Sequence, residues 1–494
     1  MGSLFAKKPI ESARAEGSHD RLHRVLGPGA LTALGIGAVI GAGIFVATGK
    51  AANDTAGPAL MVSYMLAGFT CLLAALCYAE FAAMTPVAGS AYTYTYTTLG
   101  ELFAWIIGWD LILEYAVGAA TVANGWSSYL QMGVLPKFGL SLPASLGSAP
   151  ISYEGGVFKL TEAYINLPAV LVVALLTIIL IKGIKESAAV NAIMVAVKVG
   201  AVLFVIVVGA YFINPDNWTP FAPYGWTGIN FFGYPVAGQH EGARPLGMIA
   251  GAALIFFAYI GFDAVSTQAE EAKNPQRDLP IGIIGSLVIC TILYIAVVAV
   301  LTGMVKYDQI DKGAGVSTAF KQVGLPRVDF LIAVAGVAGI TSVLLVMLLG
   351  SARVLMAMSR DGLLPPLFKD IHTSFKTPWK STIAVGLFVG VFAGLLPLGA
   401  LLELTNIGTL FAFAMVCGSV LILRYTQPNA PRPFRVPLSP FVPVLGILLC
   451  LLLMLSLPAQ NCYRLFGWMA IGLVVYFLYG RNHSVLGRQS GQAV

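Results

Sequence analysis

Apolar runs near the ~20 residues that span a bilayer's hydrocarbon core recur about twelve times along this chain. They cover 29–52, 57–84, 98–130, 167–183, 189–213, 246–270, 280–304, 329–357, 381–398, 401–424, 438–457 and 464–480. The pattern predicts an all-α integral membrane protein of about 12 transmembrane helices. The third run is preceded by the polar stretch Tyr92 to Thr98, so it is expected to project beyond the bilayer. Two connections, 131–166 and 214–245, are long and rich in Gly, Pro and aromatics, and are expected to hold short surface helices.

Composition supports the membrane reading. Of 494 residues 57% are hydrophobic and only 11% charged, where soluble domains carry roughly 25% charged residues. The net charge of +6 reads as topology rather than as nucleic-acid binding. If both termini share one side, that side receives about twice as many Lys and Arg as the other, including Lys7, Lys8, Arg14, Arg21, Arg24, Lys182 and Lys185. This predicts cytoplasmic termini in a multi-pass cell-membrane protein. Residues 1–28 are polar and lack the apolar stretch of a signal peptide, so the first span is expected to direct insertion. The six cysteines show no metal or disulfide spacing, and the five histidines lie outside the spans. Neither a nucleophile elbow nor a zinc-protease pair nor a phosphate loop occurs. An enzyme and a resident cofactor or metal are therefore not expected.

Glycine interrupts the first span at Gly35, Gly37, Gly41 and Gly43 and the sixth at Gly261. Gly37 and Gly41 alone are equally consistent with close helix packing. Interruptions at corresponding places in two halves point instead to discontinuous helices in an inverted repeat. Five spans is an odd number, so the second half inserts upside down. The expected divisions are a tail (1–28), a first repeat (29–213), an extracellular loop (214–245), a second repeat (246–424), two added helices (425–480) and a tail (481–494). Unwinding at Gly41-Ala42-Gly43 should aim free N–H groups, from a half-helix starting near Ile44, at a carboxylate. Unwinding at Ile260-Gly261-Phe262 should offer carbonyls to an ammonium group. Together they suit an α-amino acid zwitterion. The substrate-binding set is Ile40, Gly41, Ala42, Gly43, Phe257, Ala258, Ile260, Asp263 and Met347. Phe257 is expected to cover the substrate, whereas Tyr259 fits an aromatic core position at least as well. Asp263 is expected mainly to cap the next half-helix.

Lys198 stands alone in the apolar run from Asn191 to Ile213. A cation at that depth costs on the order of 2.5–3.5 kcal/mol on insertion scales. It needs a partner, a wet cavity or a way to lose its proton. Glu114 lies at similar depth in the third run, and a Lys198–Glu114 pair is expected, either sharing a transported proton or as a static ion pair. Thr341 and Ser342 are expected to line the cation site beside it. For Glu80 and Arg353, gate pairing and snorkelling both stand.

Several stretches carry a family resemblance: Leu34 to Phe45, Cys77 to Phe81, Pro86 to Tyr94, Gly108 to Tyr115, Phe256 to Ser266, Asn274 to Pro280, Met358 to Pro365 and Leu404 to Leu410. Together they resemble the amino acid–polyamine–organocation superfamily, specifically its bacterial cationic amino acid transporter branch, from about Leu26 to Arg481. The resemblance implies a 5+5 inverted-repeat (LeuT-like) core with discontinuous helices 1 and 6 plus two further helices. It implies uptake of L-amino acids by alternating access, driven by the proton gradient, with Lys198 in the place of a sodium ion. The position after Gly41, often a hydroxyl residue in such proteins, is Ala42 here, so the cradle must rely on backbone groups. The branch name suggests arginine or lysine, but a bulky Met347 facing the site favours small neutral substrates. An amino acid or polyamine exchanger without net proton coupling is the alternative. The lipid bilayer is the expected surrounding; a small membrane partner or a homodimer stays open.

Overall fold

The computed structural model describes residues 4–9, 26–84, 90–154, 157–182, 188–242, 244–268, 272–375 and 377–491. Arg14, Arg21, Arg24, Lys185 and part of the 86–94 motif lie outside them. The apolar runs fall on helices: α1 (Pro28–Val39), α2 (Leu60–Met84), α3 (Glu101–Tyr129), α4 (Leu167–Lys182), α5 (Ala188–Ala210) and α6 (Met248–Ile255). There follow α7 (Pro275–Met304), α8 (Pro326–Arg360), α9 (Trp379–Leu395), α10 (Leu398–Thr426), α11 (Phe441–Met454) and α12 (Ala459–Val475). Six helical stretches among the described residues are long and apolar enough to cross a membrane, and five more apolar helices are shorter.

The distribution of side chains inverts that of a soluble protein. Leu171, Leu175, Leu203, Val207, Ile292, Leu448 and Val474 face outward, while Glu80, Glu101, Asp110, Glu114, Lys198 and Asp263 are buried. Only a hydrocarbon surrounding makes the outer face favourable. Inside, α1 packs on α5 and α7, α2 on α6 and α7, and α3 on α8 and α10. The two short helices α1 and α6 therefore sit at the centre. All six cysteines are buried and unbridged.

Two expectations needed correction. Tyr92 to Thr98 does not extend α3; it lies in a separate helix, Ser90–Thr98. Gly100 at φ +102° ends it, a conformation open to glycine and strained for other residues. The long connections hold helical turns at Ala144–Gly147 and Pro215–Trp218, but also hairpins: Ile151–Glu154 with Val157–Leu160, and Gly228–Phe231 with Tyr234–Gly238.

Residues 4–9 fold back onto the same corner. Ala6 O and Leu4 O accept from Glu101 N and Leu102 N, both at 3.0 Å, capping the free N–H groups that open α3. The Lys8 ammonium meets Asp361, at the end of α8, at 2.9 Å.

At Gly261, φ is +118°, and a Cβ built there would stand 2.7 Å from Ala38 O. Gly261→Ala is therefore expected to destabilise the protein by about 1–3 kcal/mol, the usual cost of such backbone strain. Thermal unfolding in detergent checks this, and an unchanged midpoint contradicts it.

Candidate functional site

Helix α1 stops because Ile40 turns extended (φ −72°, ψ 109°). The chain then re-enters helical geometry at Ala42 and continues through Gly43–Ala47, Thr48–Ala51 and Ala52–Ala56. Phe45 N bonds to Gly41 O at 3.2 Å. The interruption thus falls at Ile40-Gly41 rather than across Gly41-Ala42-Gly43, and the second half-helix begins two residues earlier than expected. The cause is local: the new helix's hydrogen bonding starts from Gly41 O. The N–H groups of Ala42, Gly43 and Ile44 open that half-helix and have no intrahelical acceptor.

The sixth element breaks where expected. Helix α6 tightens into a 3-10 turn at Phe256–Tyr259, Ile260 turns extended (φ −61°, ψ 133°), and a second 3-10 segment runs from Phe262 to Gln268. Asp263 accepts from Gly261 N at 3.2 Å and from the Tyr115 hydroxyl; the amide lies in the break itself, not in the half-helix expected to be capped. The two breaks meet. A Cβ on Gly43 would overlap Ala258 Cα, and one on Gly41 would overlap Val343 of α8. Only glycine permits this approach of backbones.

Lys198 points at the first break. Its ammonium donates to Gly37 O at 2.6 Å. A Cβ on Gly339 of α8 would lie 3.3 Å from the lysine stem. The Cys290 thiol of α7 is within electrostatic reach of the amine. The structure does not pair Lys198 with Glu114. Helix α5 packs on α1, α7 and α8, whereas α3 faces α8 and α10. Glu114 lies near Asp110 and Asp263, and neither of its oxygens has a hydrogen-bond partner among the described residues. The neighbouring Thr409 hydroxyl is turned to Thr405 O at 3.1 Å.

The other candidates divide. Met347 is buried against Gly118 of α3, one turn from Val343 on the face that meets Gly41. Phe257 and Ala258 are buried at the second break. Ser342 bonds back to Gly339 O at 3.2 Å, in the turn that receives the Lys198 stem. Thr341 is turned to α3, where Trp126 donates to it at 2.9 Å.

Sequence reading missed Tyr294 of α7. Its hydroxyl lies 2.9 Å from Val39 O and 3.1 Å from Ala258 O, one carbonyl at each break. A lone tyrosine in an apolar run gave little sign of this. It also missed an ion cluster at one end of the bundle, where Lys50 (3.0 Å), Lys312 (2.7 Å) and Arg244 (3.9 Å) converge on Asp54. Toward the other end, Glu80 is held by Arg424 at 2.6 Å and Arg432 at 3.3 Å and by Val436 N at 2.7 Å, so it is a buried, paired carboxylate rather than a snorkelling chain.

The chain matches the amino acid permease family over residues 26–477. It is 47% identical to the branched-chain amino acid permease BcaP of Bacillus subtilis (strain 168), across 99% of this chain and 100% of that protein. It is 46% identical to the methylthioribose transporter of the same organism, again across 99% and 100%. The vacuolar cationic amino acid transporter 4 of Arabidopsis thaliana is 38% identical over 89% of this chain and 69% of its own length. These relatives are transporters, not enzymes. With its apolar helices and a match along nearly all its length, the chain is a multi-pass membrane protein that belongs to the amino acid permease family of the amino acid–polyamine–organocation superfamily.

Proposed function

We propose that the protein imports small neutral L-amino acids with protons, by alternating access. In this reading twelve helices span the membrane with both termini cytoplasmic, and α1–α5 and α6–α10 form inverted repeats. The carrying observation is that the two interrupted segments touch each other while a buried amine donates to a carbonyl three residues before the first break. The helix N-terminus at Ala42–Ile44 suits the substrate carboxylate. The carbonyls at Val39 and Ala258 suit its ammonium. Lys198, protonated, compensates the carbonyl end of α1. Deprotonated, it releases that end, which ties proton movement to the opening of the site. Glu114 is a second buried carboxyl on α3, close to the sixth segment rather than to Lys198.

Substrate size follows from what lines the meeting point. Val343 and Met347 are apolar, and Asp263 is already engaged by Tyr115 and Gly261 N. A guanidinium would face this apolar lining and would have to draw its counter-charge from the buried Glu114 near Asp263. The branched-chain substrates named for BcaP fit the same lining.

Reconstituted protein given an inward proton gradient is expected to accumulate labelled alanine. Lys198→Met is expected to reduce that accumulation to the level of empty vesicles; full retention removes Lys198 from the coupling. Uptake that requires internal amino acid and ignores the gradient would establish the exchanger instead.

In a competition panel, unlabelled alanine or valine is expected to displace alanine at least about tenfold better than arginine, a difference of about 1.4 kcal/mol. Arginine or methylthioribose prevailing would reverse the substrate assignment.

A further inference from the structure

Helix α7 contributes a residue that bears on both breaks at once. Tyr294 is fully buried. Its hydroxyl is shared between Val39 O at 2.9 Å and Ala258 O at 3.1 Å. Both carbonyls precede an interruption and have lost the amide that a continuous helix would supply. A phenol has one proton, so it satisfies one carbonyl fully or both poorly, and its own lone pairs remain open. An ammonium group has three donors and no acceptor. It complements what is left over: one carbonyl and the phenol oxygen.

The tyrosine is held rigidly. Its ring packs edge-on against Tyr64, with centroids 5.5 Å apart, and against Tyr259 at 5.5 Å. The Tyr259 hydroxyl is engaged with Tyr64 O at 2.8 Å, and the Tyr64 hydroxyl with Thr48 at 2.7 Å. Of the three phenols, only that of Tyr294 is directed at the breaks. One turn away, Cys290 is within electrostatic reach of Lys198.

We propose that Tyr294 is a substrate-binding residue that recognises the α-ammonium. Its hydroxyl donates to Val39 O and accepts from the ammonium, which also donates to Ala258 O. Substrate binding thereby replaces a shared hydrogen bond with separate ones and joins the two half-helices through the ligand. The inference rests on the amino acid reading above.

The test compares wild type, Tyr294→Phe and Tyr64→Phe in proteoliposomes, with alanine and its α-hydroxy analogue lactate as substrates. Tyr294→Phe is expected to raise KM for alanine about tenfold, the loss of one hydrogen bond to a charged group, with little change in the maximal rate. Its preference for alanine over lactate should shrink, because lactate offers a single donor. Tyr64→Phe removes a hydroxyl from the same aromatic cluster and is expected to keep the wild-type KM and preference. p-Aminophenylalanine at position 294, which restores a polar group at the ring tip, should recover alanine binding and serves if the Phe variant fails to fold. A wild-type KM and preference in Tyr294→Phe would overturn the assignment. So would an equal loss in Tyr64→Phe, or a folded aminophenylalanine variant that does not bind alanine. Failure of the wild type to transport alanine would instead remove the amino acid reading itself.

Discussion

Peptide groups freed inside a membrane must find partners within the protein, because hydrocarbon offers none. Breaking two helices at the centre of the bundle leaves carbonyls at one end and N–H groups at the other in each. The surrounding structure is arranged to answer them. Lys198 reaches Gly37 O from α5, Tyr294 reaches Val39 O and Ala258 O from α7, and Asp263 caps Gly261 N. Glycines at 43 and 261 bring the backbones of the two interrupted segments together. What remains unanswered at the junction is of the kind a zwitterion supplies, and this connects the break in the fold to the transport proposed for it.

Much of this was legible in the chain. Spacing of the apolar runs gave the helices, because bilayer thickness dictates their length whatever the packing. The interruption at Gly261 was legible because glycine in the left-handed region has few substitutes. At the first break the residues were right but the boundary was two positions off. There Ala42 is geometrically an ordinary helical residue, and the turn is made by the extended Ile40, which no composition rule marks. The pairing of Lys198 with Glu114 misled for a different reason. Similar depth does not put two side chains face to face; the rotation of each helix decides that, and the pattern of an almost wholly apolar helix carries little rotational information. Tyr294 was hidden in the same way. A single phenol among aliphatic residues reads as core until its partners are known.

The two ends of the bundle are closed by charges. Asp54 gathers cations from the first element, from the loop before α6 and from the loop after α7. Glu80 gathers Arg424, Arg432 and the Val436 amide. The Asp54 cluster is partly exposed, where such contacts gain little net energy, whereas Glu80 is buried and costly to leave unpaired.

The short segment at 4–9 has a consequence for how the molecule is built. The partners shown among the described residues all come later in the chain: Tyr96, the first turn of α3, then Asp361 at the far end of α8. Chains are synthesised from the amino end and fold as they emerge, so this segment can reach Tyr96 and the first turn of α3 early, whereas its ion pair with Asp361 has to wait until α8 has been made. The fastening is completed only when α3 and α8 stand side by side, which makes the Lys8–Asp361 pair its last step.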